Sequence, residues 1–119
     1  MTALMSDDRL LIDGKLVPAS DGGTYENINP ATEQVIGVAA DATADDVNAA
    51  VAAARRAFDE TDWSTNHAFR AKCLRQLQAA LLKHADEWRQ TIVAEVGAPI
   101  LLTHSAQFDV PVAGVEFAA

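Results

Sequence analysis

The stretch NHAFRAKCLRQLQAALLKHADEWRQTIVAEVG, residues 66–97, decides how the rest of the chain is read. Phe69, Cys73, Leu74, Leu77, Ala80 and Leu81 share one arc of a helical wheel, and Lys72, Arg75, Gln78 and Lys83 lie outside it. Trp88, Ile92 and Val96 then recur at i, i+4 and i+8. This is the 3.6-residue period of a helix with one buried face. A weak break at Lys83, His84 and Ala85 divides the tract into two helices. Each large apolar side chain on the buried face is worth roughly 1.5–3 kcal/mol, so the tract is expected to supply much of the core. Gly97 suits the left-handed position after a helix end, and Pro99 discourages continuation.

Upstream of this tract, Thr43 and Asp46 stand at N-cap and N3 spacing and open another helix, with Asp in place of the usual Glu or Gln. Asp45 and Asp46 sit at its positive start, and Arg55 and Arg56 are expected near its negative end. Val47, Ala50, Val51, Ala54 and Phe58 fall within one core-facing arc. Asp62 to Asn66 forms a connector rich in capping residues. Further back, Leu10 to Ile12 and Lys15 to Val17 flank Asp13-Gly14, a hairpin signal because a type I′ turn needs positive φ at both central positions. Pro18 and the run to Gly23 end that hairpin. Thr24 to Ile28 and Val35 to Ala39 read as two more strands around the Asn29-Pro30-Ala31-Thr32 turn. The expectation is α/β: a short hairpin or meander over 10–40, then helices over 43–119, after a flexible tail at 1–9.

Downstream, Ile100 to Ala106 fits a further turn or two. Asp109 could cap a last helix with Pro111 in its first turn and Val112, Val115 and Ala119 on one face. No Lys or Arg occurs from Gln90 to Ala119, and the last residues carry no stop signal. The chain is expected to stop inside a helix and to be an incomplete portion of a domain.

The 119 residues carry a net charge of −8 and are 50% hydrophobic. An acidic chain repels nucleic-acid phosphates and anionic lipid, so neither is expected as a partner. No apolar run approaches the length of about 18 residues that spans a membrane, and Met1 to Arg9 lacks the pattern of a signal peptide. The single cysteine, Cys73, excludes an internal disulfide and suits a reducing cytoplasm.

The chemistry-bearing residues are sparse. Cys73 lies in mid-helix among leucines and reads as a core thiol. His67, His84 and His104 share no metal-ligand spacing with it; His84 falls on the buried arc, and His67 and His104 are expected to be exposed. Arg70 falls on the same arc, where a buried guanidinium needs a carboxylate or several carbonyls as partners. The pairs Asp7-Asp8 and Asp45-Asp46 read as tail and helix-start charges. No phosphate-binding glycine loop, GxSxG, HExxH or CxxC is present. The residues by themselves indicate no catalytic and no cofactor-binding position.

Taken in order, these pieces resemble the opening of an aldehyde dehydrogenase, from about Leu10 to Ala119. The resemblance rests on Leu11-Ile12-Asp13-Gly14-Lys15, Asn27 to Thr32 leading into Val35-Ile36-Gly37, Asp45-Asp46-Val47 with Ala50-Val51 and Ala53-Ala54-Arg55, then Trp63, Arg70, Leu74, Leu77, Leu81 and Glu95 to Pro99. It implies an oxidoreductase that converts an aldehyde to a carboxylic acid with NAD or NADP in the complete enzyme. A cysteine thiolate attacks the aldehyde, hydride passes to the nicotinamide, and a glutamate activates the water that releases the acid. Those parts are expected beyond residue 119, and Cys73 does not match the nucleophile. The chain therefore resembles the N-terminal segment of the coenzyme-binding domain, inactive by itself and binding no NAD(P). Its partners would be the rest of that domain and, in the complete enzyme, further copies in a homo-oligomer. Some family members hold a monovalent cation at a carbonyl matching Ile28 and a carboxylate matching Glu95, where Asp is commoner. Two alternatives stay open: a stand-alone module that associates with a full-length homologue, and the opening of a CoA-acylating semialdehyde dehydrogenase.

Overall fold

The computed structural model describes residues 8–118 as a mixed α/β chain. It divides into two compact units. Of the tail expected at 1–9, residues 1–7 lie outside the described residues, Asp8 is exposed, and Arg9 belongs to the first strand instead.

The first unit comprises residues up to 28 together with 33–64. Strands β1 (Arg9–Ile12) and β2 (Lys15–Pro18) pair antiparallel, with Ile12 opposite Lys15 and Arg9 opposite Pro18. Asp13 and Gly14 make the two-residue turn with φ of 53° and 74°, the left-handed pair that matches the twist of a hairpin. Pro18 thus lies within the ladder at its end rather than beyond it. Strands β3 (Thr24–Ile28) and β4 (Val35–Ala40) form a second antiparallel pair, with a register shift between Asn27 and Ile28. The meander expected from the sequence is therefore two separate two-stranded sheets among the described residues. The Ala19–Gly23 turn ends one hairpin before the other begins, and Gly22, at φ 74°, donates to the Ala19 carbonyl at 2.8 Å.

Helix α1 (Ala44–Glu60) begins at Thr43 with the expected capping box. Its end differs from expectation. The helix runs on to Glu60, so Arg55 and Arg56 lie short of the last turn, which holds no base. Arg55 instead pairs with Asp59 one turn on, which raises the guanidinium pKa, and stacks over Phe58. Arg56 reaches Asp13 at 3.0 Å. A 3₁₀ turn over Asp62–Ser64 follows.

The second unit comprises residues 29–32 and 65–118. It holds α2 (His67–Lys83), α3 (Ala85–Val96), the single turn α4 (Ile100–Thr103) and α5 (Asp109–Ala118). Asn66 caps α2 by accepting from the Phe69 amide at 2.9 Å. His84 separates α2 from α3, as the break in the pattern indicated. It is exposed and meets Glu87 at 3.2 Å, so it is a surface joint and not the core histidine expected. Gly97 ends α3 at φ 69°, the conformation in which an L side chain is strained.

The core is small. Ala94, Ala98, Phe108 and Val112 are buried in the second unit with the side chain of Thr103, whose hydroxyl donates to the Ile100 carbonyl. In the first unit the buried residues are Ala19 and Asp46. The expected α1 stripe is not covered: Val47, Val51 and Phe58 remain 53%, 61% and 45% exposed. Helix α2 packs on α5, where the Gln78 side chain donates to the Val112 carbonyl at 3.0 Å, and Leu74, Gln78 and Leu81 are half-buried. The covered face is thus turned toward Gln78, and Phe69 and Leu77 stand exposed. On α3 the residue fully covered is Ala94, while Trp88 and Val96 of the expected stripe are exposed. Helix α5 starts on Asp109 itself and buries Val112; Ala119, the third residue expected on that face, lies outside the described residues.

Candidate functional site

Two polar constellations are built by the fold, one in each unit. In the first, Asp46 is buried where the Ala19–Gly23 turn meets the start of α1. Its carboxylate accepts from the Ser20 amide at 3.1–3.2 Å, the Thr43 amide at 2.9 Å and both hydroxyls, at 3.3 and 2.9 Å. The two hydroxyls are themselves 2.7 Å apart. The amides of Ser20 and Thr43 hold the carboxyl below its ordinary value despite burial, because each bond favours the charged form. Asp46 is therefore more than a helix-start charge: it pins the turn to the helix. The sequence exposed its capping role through Thr43, but nothing local marked Ser20 as the third member.

In the second unit, Arg89 of α3 lies between Asp86, at 3.5 Å, and Asp109, which it contacts directly. Its guanidinium also stacks 5.1 Å from the Phe108 ring centre. Arg89 is the largely buried cation of this unit, with its side chain 13% exposed and its Nε enclosed without a partner in the described structure. His104 Nδ1 lies 3.9 Å from the other carboxylate oxygen of Asp109. Sequence reasoning assigned the buried-cation role to Arg70. That residue is half-buried and meets the His67 ring one turn back. Arg89 is the last Lys or Arg of the sequence, and nothing else local marked it.

The remaining candidates are placed as follows. Cys73 is a half-buried free thiol on α2. His67 and His104 are exposed, as expected. A surface cavity of about 400 Å³ lies at the α2–α3 joint, lined by residues 82–87 with His84 and Glu87 among them. No group of three or more His, Cys, Asp or Glu among the described residues could hold a metal ion. Ile28 ends β3 at the register shift in the first unit, and Glu95 lies exposed on α3 in the second. The turn that follows Ile28 belongs to the second unit. There Asn29 Oδ1 accepts from the Ala31 and Thr32 amides at 2.8 and 3.2 Å, and Pro30 sits against Gly97.

Residues 16–119 match the model of the aldehyde dehydrogenase family. The chain belongs to this family. It is 37% identical over 105 residues to the mitochondrial benzaldehyde dehydrogenase of Antirrhinum majus, covering 87% of this chain and 19% of that protein. It is 30% identical over 110 residues to the NADP/NAD-dependent aldehyde dehydrogenase PuuC of Escherichia coli, covering 92% and 22%. The structure of an aldehyde dehydrogenase from Bacillus cereus in complex with NAD+ superposes with a TM-score of 0.84 at 31% identity, covering 97% of this chain and 24% of that one. The chain spans about a fifth of the length of these relatives and matches their N-terminal part. Neither polar constellation joins a nucleophile to a base and an oxyanion donor, the minimum that acyl chemistry requires. In this aldehyde dehydrogenase segment the first ties the Ala19–Gly23 turn to α1, and the second ties α3 to the start of α5.

Proposed function

We propose that the chain acts as the opening segment of an NAD(P)-dependent aldehyde dehydrogenase, which as a complete enzyme oxidises an aldehyde to a carboxylic acid. The observation that carries this reading is the family match over 16–119 in a chain a fifth as long as its relatives. By this reading the nucleophile, the base and the NAD(P) site belong to the rest of the enzyme. The chain by itself neither turns over aldehyde nor binds the coenzyme.

The exposed stripe Val47, Val51 and Phe58 on α1 supports the same reading. So do Leu101 and Val96, which stand 78% and 60% exposed in the second unit. Apolar faces of this kind are the surface on which the remainder of the domain packs. The complete enzyme is a homo-oligomer in the cytoplasm, with no nucleic-acid or membrane partner. No helix among the described residues is long and apolar enough to cross a membrane.

The test is to incubate the purified chain with short aliphatic and aromatic aldehydes and NAD or NADP, following reduced nicotinamide, and to melt it with each coenzyme. The expected result is a blank-level rate and an unchanged melt. Turnover above the blank, or a saturable rise in melting temperature with NAD or NADP, would overturn it.

A further inference from the structure

We propose that Asp13-Gly14, at the tip of the β1–β2 hairpin, is a site of spontaneous backbone isomerisation, and that Arg56 restrains it. An aspartyl residue isomerises when the amide nitrogen of the next residue attacks the side-chain carboxyl. The residue after it decides access, because a Cβ crowds the attacking nitrogen. Of the aspartates in this chain, Asp13 and Asp21 are followed by glycine. The structure separates these two. The Gly22 amide already donates to the Ala19 carbonyl at 2.8 Å, and Asp21 Oδ1 is engaged by the Gly23 amide at 2.8 Å. Nucleophile and electrophile are both held at Asp21. At the hairpin tip Asp13 is 60% exposed, and the space beside Gly14 is open to 4 Å. A two-residue type I′ turn closes through the flanking Ile12 and Lys15, which leaves the Gly14 amide outside the ladder. A two-stranded hairpin is also marginal by itself, so its tip opens readily.

The step balances within the chain. The Gly14 nitrogen gives up its proton and bonds to Asp13 Cγ. A Cγ–O bond breaks, and the hydroxyl leaves as water. Water then adds to either carbonyl of the five-membered imide. Opening at the former main-chain carbonyl leaves a β-linked aspartyl residue, with one extra backbone carbon in the turn. Arg56, 3.0 Å from Asp13 Oδ1, opposes the first step. The ion pair tethers the carboxyl to α1 and so restricts the side-chain rotation that brings Cγ to the Gly14 nitrogen.

The chain is incubated near neutral pH, labelled with an isoaspartyl methyltransferase, and mapped by proteolysis and mass spectrometry. The expected label accumulates at Asp13 several-fold faster than at Asp21. Arg56→Ala raises the Asp13 rate further without changing the circular dichroism spectrum, and Arg56→Lys, which keeps the charge, stays near the original rate. Label at Asp21 as fast as at Asp13 overturns the site, as does no label at Asp13. An Asp13 rate indifferent to Arg56→Ala overturns the restraint.

Discussion

Replacing Gly97 by alanine tests how the Asn29–Thr32 turn is seated on the end of α3. Two penalties act together. Gly97 has φ 69°, and a left-handed conformation costs an L residue about 1–2 kcal/mol. A Cβ at this position would also lie 2.9 Å from Pro30 Cγ, and overpacking of that kind costs about 1–3 kcal/mol. Against these, alanine lowers the entropy of the unfolded chain, which offsets about 0.4–1 kcal/mol. The net loss is about 2–4 kcal/mol. The two parts separate in a double-mutant cycle. Pro30→Ala removes Cγ and leaves Cβ, which lies at an ordinary 3.8 Å. In that background Gly97→Ala should cost only about 1 kcal/mol, so the coupling is about 1–3 kcal/mol. Urea denaturation followed by circular dichroism reads the single variant as a midpoint lowered by roughly 1–2 M at a typical slope. Amide exchange at residues 93–97 reads the same loss locally, through the Gly97 amide that donates to the Val93 carbonyl at 3.1 Å. An equal penalty in both backgrounds would refute the contact with Pro30. A penalty under about 0.5 kcal/mol would refute both terms.

The other predictions concern the two polar constellations and the uncovered faces. The folded Asp46 carboxyl titrates below its ordinary 3.8, so its stabilising share is complete above that value and is lost as pH falls through the lower, folded one; melting against pH should lose this acid slope in Asp46→Asn, and an unchanged slope counts against the assignment. Arg89→Leu leaves Asp109 half-buried with its main cation gone and should cost about 1–3 kcal/mol in urea denaturation, whereas Arg70→Leu should cost under about 1. Val112→Ala, at a buried position, should cost about 2 kcal/mol, and Val51→Ala, at an exposed one, should fall within about 0.5. Val51→Lys should lower binding of an apolar dye to the chain, and undiminished dye fluorescence would show that the α1 stripe is not the exposed surface responsible.

What could be read from the sequence was whatever a few neighbouring residues determine by themselves. Asp13-Gly14 dictates its hairpin turn because both positions need positive φ. Thr43 and Asp46 dictate a helix start because each satisfies the other's backbone amide. Gly97 dictates a helix end. The aldehyde dehydrogenase reading was legible in the same way, from the order and spacing of many such local pieces. What could not be read was which side of each helix is covered. A periodic pattern shows that a face prefers burial, but the covering surface is a property of another element. Helix α5 reaches α2 at Gln78, so this residue, placed outside the apolar arc, finds a carbonyl, while Leu77 stays exposed. The α1 stripe meets no covering element among the described residues, so its period is right and its burial is not. The misplaced cations have the same origin. Arg70 and Arg89 look alike in sequence, and only the arrival of Phe108 and Asp109 beside α3 turns one of them into a buried ion. A strong apolar period on an uncovered helix is thus itself informative. Selection for the period acts on the assembled enzyme, so the stripes that this chain leaves exposed are where the proposed remainder of the enzyme must be sought.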